Sequence, residues 1–229
     1  MKKIKIAIQG ELGAYSHIAV NNLFQDAEIK TCATFEETFK QAYDDESYKI
    51  VIPIENSLAG RVADIHYLLP KYKLQIHAEH YLKVEHNLLV KKNAEIKDIK
   101  YVRSHAQAID QCQKVILKHK FKTIISADTA GSAKELSKSD SLSTAAIASK
   151  LSAKIYGLKI LLKNIEDESQ NTTRFLIMSK KVNHPENIKD KKFITTCIFR
   201  LKSIPAALYK CLGGFATNQV NLTKLESFS

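Results

Sequence analysis

Apolar strand patterns alternate with helical patterns along most of this chain. Ile4, Ile6 and Ile8 alternate with other side chains, as in a β-strand, and a glycine-containing turn at 10–16 leads into a helical pattern. A short apolar run at 50–54 predicts another strand. Regular alternation of strands and helices is typical of sheets that are covered by helices. We therefore expect an α/β fold.

The same alternation continues toward residue 180. An extended pattern covers 74–90, and a helical pattern at 145–155 ends at Gly157. Strand patterns near Lys159 and Phe175 indicate that the chain returns to its first unit. We expect two lobes with a cleft between them. Lobe 1 comprises about residues 1–78 and 160–182, and lobe 2 about residues 79–159.

The C-terminal residues predict a separate small unit. A polar, charged segment around Pro185 predicts a linker at 183–192. Strand patterns at 194–201 and 220–228 flank a helical pattern at about 206–215, which gives a β-α-β unit within 193–229. Such a unit leaves a sheet edge and a sheet face uncovered, so we expect it to be part of a larger module.

Charge and cysteine usage exclude several classes of function. The net charge of +11 comes from 35 Lys and Arg residues against 24 Asp and Glu. Arg, which favours base and phosphate recognition, is rare and Lys is scattered, so we expect no nucleic-acid partner. The cysteines are far apart, and no apolar run approaches the roughly 20 residues that span a membrane. With no signal-peptide pattern, we expect a cytoplasmic protein without membrane association.

Polar residues stand at the ends of three predicted strands, at 55–57, 104–107 and 172–174, and Gln111 follows the second cluster. Open α/β sheets bind ligands beyond the carboxyl ends of their strands, so these clusters predict a site. Ser104 at a helix start would add backbone N–H groups for a carboxylate. Three of the four arginines lie in or beside the clusters, which favours a dianionic organic acid. Taken singly, each cluster is also explained by capping and turn formation.

Neither a metal nor a dinucleotide is predicted. In an extended strand His77 and His80 would face opposite sides, and His80 and His86 would stand about 20 Å apart. We expect these histidines to be structural or exposed. Gly10 and Gly13 form only an incomplete dinucleotide fingerprint, so we expect no nicotinamide cofactor.

Six short motifs occur in the order found in the prephenate dehydratase family, which this chain resembles from residue 4 to about 180. The motifs are 10–16 (GELGAYS), 53–57 (PIENS), 104–107 (SHAQ), 128–132 (DTAGS), 145–149 (AAIAS) and 171–175 (NTTRF). The resemblance implies a two-lobed fold like the type II periplasmic binding proteins, followed by a partial α+β ACT-like module. It also implies a cofactor-independent lyase of phenylalanine biosynthesis, which converts prephenate to phenylpyruvate with loss of water and carbon dioxide.

The resemblance and the chemistry together assign roles to residues. The predicted catalytic residues are Thr173, Asn56, Glu55, Ser104 and Gln111. The predicted substrate-binding residues are Arg174, His105, Gln107, Ser57, Thr172, Phe175, Thr129 and Ala130. Thr173 is expected to donate a hydrogen bond to the departing oxygen, with Glu55 as the proton source. Arg174 and the Ser104 helix start are expected to hold a carboxylate.

The C-terminal segment resembles the family at 205–209 and 221–227. In the family these regions sense L-phenylalanine, so the predicted regulatory residues are Ala206, Ala207, Leu208, Glu226 and Ser227. Many members continue with Arg-Pro where this chain has Phe228-Ser229, and the second half of the ACT domain is absent. We expect a homodimer where the module is complete. The chain is expected to be a fragment of a longer enzyme, or a truncated enzyme with a weakened response to L-phenylalanine.

Two other functions stay compatible with the sequence. One is a non-catalytic protein that binds a small acid in the same cleft, and the other is an inactive remnant. The Thr173–Arg174 pair argues against the binding protein. Arogenate stays open as a secondary substrate.

Overall fold

The computed structural model describes residues 3–181 and 193–227, which belong to two separate compact units. Within residues 3–181 strands and helices alternate, as predicted. In chain order the strands are β1 (Lys5–Gln9), β2 (Glu28–Cys32), β3 (Tyr48–Asn56), β4 (Gly60–Arg61), β5 (Gln75–Lys83), β6 (Asn87–Val90), β7 (Tyr101–Ser104), β8 (Lys122–Ile125), β9 (Thr144–Ala148), β10 (Lys159–Leu162) and β11 (Thr172–Ser179). The helices are α1 (Tyr15–Leu23), α2 (Phe35–Asp44), α3 (Ala63–Tyr72), α4 (Ala106–Asp110), α5 (Gln113–His119), α6 (Thr129–Lys138) and α7 (Lys150–Tyr156), with a 3₁₀ turn at Ile96–Asp98.

The first sheet has the strand order β2-β1-β3-β11-β5, with β4 paired to the end of β3. β1 runs parallel to β2 and β3, whereas β11 lies antiparallel between β3 and β5. Helix α1 covers one face and buries Val51 and Phe175, whereas α2 and α3 cover the other face and bury Ile52 and Leu176. Because both faces are covered, β3 and β11 are continuous apolar runs rather than alternating ones.

The second sheet has the strand order β10-β6-β9-β7-β8. β7 is parallel to β8 and β9, and β6 is antiparallel to β9 and β10. Ile109 and Ile116 from α4 and α5 pack in one buried cluster, and Leu136 of α6 packs in the other against Ala146 and Ala148 of β9. These small alanine side chains allow α6 to approach the sheet closely.

The predicted helix at 145–155 is wrong in its first half. Residues Thr144–Ala148 form β9, and α7 begins only at Lys150. The run 145–148 is fully buried and paired on both sides, so both faces of the strand need apolar side chains. Periodicity alone does not separate such a strand from a buried helix. Ser149 then caps α7 by accepting a hydrogen bond from the Ser152 backbone N–H at 3.0 Å.

The predicted two-lobed α/β architecture is confirmed, and the chain crosses between the two sheets twice. The crossing segments are residues 84–86 and 163–171, and they are hydrogen bonded to each other. The Val84 N–H donates to the Asn171 carbonyl at 2.8 Å, and the Ile165 N–H donates to the His86 carbonyl at 2.9 Å. This pairing holds the two lobes together at the crossing.

Both predicted lobe boundaries require correction. β5 continues in the first sheet to Lys83, five residues beyond the predicted boundary at 78, because it pairs with β11 along its length. β10 belongs to the second sheet, where it pairs with β6, so the chain returns to the first lobe only after Leu162. A strand pattern states that a segment pairs but does not name its partner.

The described C-terminal residues, 193–227, contain helix α8 (Ala207–Thr217) and no strand. The strands predicted at 194–201 and 220–228 are therefore wrong within this range, because a strand forms only where a partner strand completes its hydrogen bonds. The predicted linker at 183–192 lies outside the described residues, and the ACT-like module stays a prediction. Within the described ranges, no helix is both long and apolar enough to cross a membrane.

Candidate functional site

Thr173 and Asn56 face each other on neighbouring strands. They are register partners in the antiparallel pair of β11 and β3, and the Asn56 amide nitrogen lies 3.0 Å from the Thr173 hydroxyl oxygen. The Thr173 side chain is on the α1 face of the sheet, the face that also carries Phe175. Thr173 is only 9% exposed. The structure therefore brings together the two residues at the centre of the predicted site.

The Asn56 amide has one orientation only. Its Oδ1 accepts hydrogen bonds from the Leu58 N–H at 3.0 Å and from the Ala59 N–H at 2.9 Å. Because two backbone donors require an oxygen, the group that faces Thr173 is the NH₂. Asn56 therefore donates to the Thr173 oxygen. The Thr173 proton is therefore directed away from Asn56, and the hydroxyl is able to donate a hydrogen bond to another group.

Asn171 extends this arrangement from the first lobe to the second. Its Oδ1 accepts the second N–H of Asn56 at 2.7 Å, and its own amide nitrogen donates to Gln111 Oε1 at 2.8 Å. Asn171 is fully buried on the second crossing segment, and Gln111 follows α4 in the second lobe. One hydrogen-bond network thus contains three of the predicted site residues, Thr173, Asn56 and Gln111.

Two further residues, which the sequence did not predict as site residues, extend this hydrogen-bond network beyond Gln111. His86 Nε2 lies 2.9 Å from Gln111 Oε1, and the Tyr15 hydroxyl lies 2.8 Å from His86 Nδ1 and 2.9 Å from the Glu85 carbonyl. His86 is 3% exposed, which agrees with the structural alternative predicted for it and not with the exposed one. Its sequence signal was weak, because a single histidine after a strand pattern does not reveal that the chain changes lobe there.

Burial sets the protonation states at this end of the chain. Desolvation lowers the pKa of His86, against smaller opposing effects of the Gln111 hydrogen bond and the Glu166 carboxylate. Desolvation also raises the pKa of Tyr15 well above its ordinary value. At neutral pH His86 is therefore a neutral imidazole and Tyr15 a neutral phenol.

Arg174 does not stand beside Thr173. Successive strand residues alternate in direction, so its side chain lies on the opposite face of the sheet. There its Nε donates to Glu79 at 2.7 Å, a terminal nitrogen lies 3.3 Å from Glu55, and the guanidinium carbon lies 6.0 Å from the Tyr81 ring centre. Arg174 is therefore paired with two carboxylates on the face opposite to Thr173, and its predicted role in holding a substrate carboxylate stays a prediction. The same geometry places Glu55 away from Thr173, so the predicted proton source is on the wrong face.

Ser104 is not the helix cap that was predicted. It is the last residue of β7, it is fully buried, and its hydroxyl donates to the Ile147 carbonyl at 2.7 Å. His105 caps α4 instead, by accepting from the Gln107 N–H at 3.3 Å. The hydroxyl of Ser104 thus fastens β7 to β9, because a buried hydroxyl must find a hydrogen-bond partner.

Ser57, Thr172 and Phe175 build the frame around Thr173. The Ser57 hydroxyl donates to the Gln170 carbonyl at 2.8 Å and accepts from the Thr172 N–H at 2.9 Å. Phe175 is 1% exposed and lies in the core under α1. These contacts fix the start of β11, so the three residues serve structure first.

The remaining predicted ligands lie around α4 and α6. Gln107 is exposed, and Ala130 is fully buried in the first turn of α6, which Asp128 caps. Thr129 and His105 are half-buried. Among the hydrogen bonds of the described residues, none joins these side chains to the Thr173 chain of contacts.

A glycine-containing loop at 10–14 joins the first lobe to α7 of the second. The Gly13 carbonyl accepts hydrogen bonds from Ser149 at 2.6 Å and Ser152 at 3.0 Å. The Tyr156 hydroxyl donates to the Leu12 carbonyl at 2.8 Å. Gly13 has φ +95°, and a Cβ there would lie 2.9 Å from the Ser152 Cα. Two sequence motifs, GELGAYS and AAIAS, therefore meet in space.

Within the described ranges no group of three or more His, Cys, Asp or Glu side chains is arranged to hold a metal ion. His77 Nε2 is hydrogen bonded to the Ser179 hydroxyl at 2.7 Å, whereas His86 Nε2 is hydrogen bonded to Gln111.

Comparison with known proteins gives a consistent result. The family model described as prephenate dehydratase matches residues 6–183. A bifunctional N-acyl-homoserine lactone acylase/prephenate dehydratase of Komagataeibacter europaeus is 39% identical over 225 residues, which cover 97% of this chain and 79% of that protein. The chloroplastic arogenate dehydratase/prephenate dehydratase 2 of Arabidopsis thaliana is 37% identical over 98% of this chain, which spans only 58% of the plant protein.

A solved structure gives the corresponding match in three dimensions. The prephenate dehydratase of Arthrobacter aurescens, solved in complex with L-Phe, superposes with a TM-score of 0.86 at 25% identity. The superposition covers 98% of this chain and 75% of that one. The family model and these relatives show that this chain belongs to the prephenate dehydratase family.

Proposed function

We propose that the chain is a dehydratase of phenylalanine biosynthesis that acts on prephenate and forms phenylpyruvate, water and carbon dioxide. The proposal rests on the Thr173 hydroxyl. Its oxygen accepts a hydrogen bond from the Asn56 amide, so its own proton is available for a hydrogen bond to a ligand. The activities for which the bacterial and plant relatives are named support the same reaction class.

The chemistry needs a donor more than a base. When the C–O bond of the ring hydroxyl breaks, the electron pair of the ring carboxylate bond moves into the ring, carbon dioxide leaves, and an aromatic ring forms. The departing hydroxide takes a proton from solvent and becomes water. A hydrogen bond from Thr173 to the leaving oxygen stabilises the charge that develops there, and the pKa of a hydroxyl is too high for full proton donation.

The proposed site is narrower than the set predicted from sequence. Thr173 contacts the leaving oxygen. Asn56 orients the Thr173 hydroxyl, Asn171 holds the Asn56 amide, and Gln111 provides a further amide. Arg174 and Glu55 are assigned to the opposite face of the sheet, where they stabilise β3, β5 and β11. Ser104 is assigned to the pairing of β7 with β9.

A second activity, that of an acylase, is suggested by the name of the Komagataeibacter relative. Amide hydrolysis by a hydroxyl nucleophile requires a base that removes its proton. Thr173 has an amide donor at that position, and a donor to the oxygen makes it a poorer nucleophile. The local geometry therefore favours dehydration over acyl transfer.

Three assays on the purified chain separate these activities. Prephenate is expected to yield phenylpyruvate, and a parallel reaction with arogenate tests whether phenylalanine forms. An N-acyl-homoserine lactone serves as the acylase substrate, and a sample without protein measures spontaneous prephenate decay. Hydrolysis of the amide bond, which releases the acyl chain and homoserine lactone, without dehydration of either acid would refute the dehydratase proposal. If no product forms in any of the three assays, the result would instead favour the non-catalytic binding protein or the inactive remnant.

The regulatory, assembly and location predictions are extensions of this proposal. The L-Phe complex of the Arthrobacter relative supports L-phenylalanine as an effector. The predicted residues 206–208 lie at the start of α8, and Glu226 lies 3.2 Å from Lys224. Calorimetric titration with L-phenylalanine tests the effector, and sedimentation tests the predicted homodimer. The cytoplasmic location stays a prediction.

A further inference from the structure

We propose that His86 is a positioning residue: it orients the Gln111 amide so that its NH₂ group serves as a second neutral donor to the ligand of Thr173. The inference rests on the proposed function, because it assigns His86 to the same site. Neither the sequence motifs nor the predicted site residues include it. His86 lies on the first crossing segment, between the lobe that carries Thr173 and the lobe that carries Gln111.

The direction of each hydrogen bond follows from the first. Asn56 must present its NH₂ to Asn171, because its oxygen is occupied by two backbone N–H groups. The Asn171 oxygen therefore accepts, and its NH₂ donates to Gln111 Oε1. A group 2.9 Å from that same oxygen must also donate, so His86 carries its proton on Nε2. His86 Nδ1 is then unprotonated, and the Tyr15 hydroxyl shares its single proton between this nitrogen at 2.8 Å and the Glu85 carbonyl at 2.9 Å.

This polarity leaves one end of Gln111 available. Its Oε1 receives two donors, from Asn171 and His86, which occupies both lone pairs. Its amide nitrogen has no hydrogen bond to another described residue, and it is not among the buried side-chain atoms that lack a partner. Among the described residues the NH₂ group of Gln111 therefore stays unpaired, on the same amide whose oxygen contacts Asn171. If His86 carried its proton on Nδ1, the Nε2 lone pair would face the Gln111 oxygen and repel it.

Two isosteric substitutions separate positioning from packing. The amide nitrogen of Gln can occupy the place of His Nε2, so His86→Gln is expected to retain most of the turnover with prephenate. The amide nitrogen of Asn reaches only the Nδ1 position, so His86→Asn is expected to lower kcat about 10- to 100-fold with less change in KM. His119→Asn, the same substitution outside this chain of contacts, is the control. Equal losses in the Gln and Asn variants would overturn the proposal, and so would no loss in either.

Nitrogen NMR of the His86 ring tests the inference without an activity. The expected spectrum at neutral pH shows a protonated Nε2 and an unprotonated Nδ1, and in His86→Asn the Gln111 NH₂ signals are expected to shift. A protonated Nδ1 with a bare Nε2 would refute the proposal. If the wild-type chain dehydrates neither prephenate nor arogenate, the proposed function fails, whereas the ring spectrum still decides the orientation of Gln111.

Discussion

At the scale of single residues, two neighbours in the sequence, Thr173 and Arg174, have unrelated tasks. The alternation of a β-strand sends the hydroxyl to the α1 face and the guanidinium to the opposite face. The hydroxyl meets the Asn56 amide at 3.0 Å, and the guanidinium meets Glu79 and Glu55. A motif that reads as one functional unit in sequence is thus divided by the sheet.

The Thr173 hydroxyl is expected to be decisive for turnover. Thr173→Val keeps the shape of the side chain and removes the donor, so kcat with prephenate should fall about 10²- to 10³-fold, or about 3–4 kcal/mol, as for other transition-state donors. KM should change less, because the hydrogen bond strengthens as charge develops. Steady-state formation of phenylpyruvate measures both constants. Thr173→Ser restores a hydroxyl and serves as the matched control; a fully active valine variant would remove Thr173 from the mechanism.

Arg174 is expected to support stability rather than substrate affinity. Arg174→Met removes a cation that is half-buried between Glu55 and Glu79, which should lower the free energy of unfolding by about 1–3 kcal/mol. Urea unfolding measures the loss, and KM for prephenate should stay close to that of the wild type. The double variant Arg174→Met/Glu79→Gln should recover part of the stability. A large rise in KM at unchanged stability would return Arg174 to the substrate site.

At the scale of elements, the loop at 10–14 and the start of α7 form one structural joint between the lobes. Gly13 offers its carbonyl to two serine hydroxyls and adopts a backbone conformation that other residues rarely enter. β9 ends immediately before Ser149, so a helix predicted at 145–148 does not reveal this joint. Correct pairing of β9 in the second sheet is what delivers Ser149 to the loop.

Gly13→Ala is expected to weaken this joint. Its Cβ would lie 2.9 Å from the Ser152 Cα, a backbone atom that cannot move aside cheaply, in addition to the cost of the positive φ. We expect a loss of about 2–4 kcal/mol in the free energy of unfolding. Gly157→Ala is the matched control, because Gly157 has φ +65° and open space around its Cα. It should cost only about 1–2 kcal/mol. Equal costs in urea unfolding would show that the Ser152 contact is relieved without strain.

At the scale of the whole molecule, the two crossing segments connect the two lobes of the described unit at 3–181 and are hydrogen bonded to each other. His86 and Asn171 lie on these segments, and their backbones take part in the hydrogen bonds that join them. The Asn171 side chain connects Gln111 of the second lobe, through Asn56, with Thr173 of the first, and the His86 ring contacts the same Gln111 oxygen. The site is therefore assembled at the place where the chain changes lobe.

The stability of the unit should depend on pH through His86. Burial lowers its pKa in the folded state below the ordinary value of about 6.5, so the unfolded chain binds a proton more readily. The stabilisation is present above pH about 6.5 and is lost as the pH falls below it, with a slope of at most about 1.4 kcal/mol per pH unit. Urea unfolding between pH 7.5 and 5.5 should show this decline, and His86→Gln should reduce the slope. An identical slope in the variant would show that other groups titrate.

Local patterns predicted much of the architecture because they reflect local physics. The alternation from Ile4 to Ile8 and the run at 50–54 predict their strands directly, since periodicity acts within a few residues. The strands predicted at 194–201 and 220–228 show the opposite limit. Their apolar pattern is real, yet pairing requires a partner strand that a pattern cannot supply.

The sequence by itself determined the alternation of strands and helices, the family, and the polar residues Thr173, Asn56 and Gln111, because each depends on side-chain identity and short-range spacing. Only the tertiary structure decided which of these residues share a face. Thr173 and Arg174 separated because strand neighbours alternate, and Glu55 followed Arg174 by register. His86, Asn171 and Tyr15 joined the site because residues far apart in the chain met at the lobe crossing, a contact that no local pattern encodes.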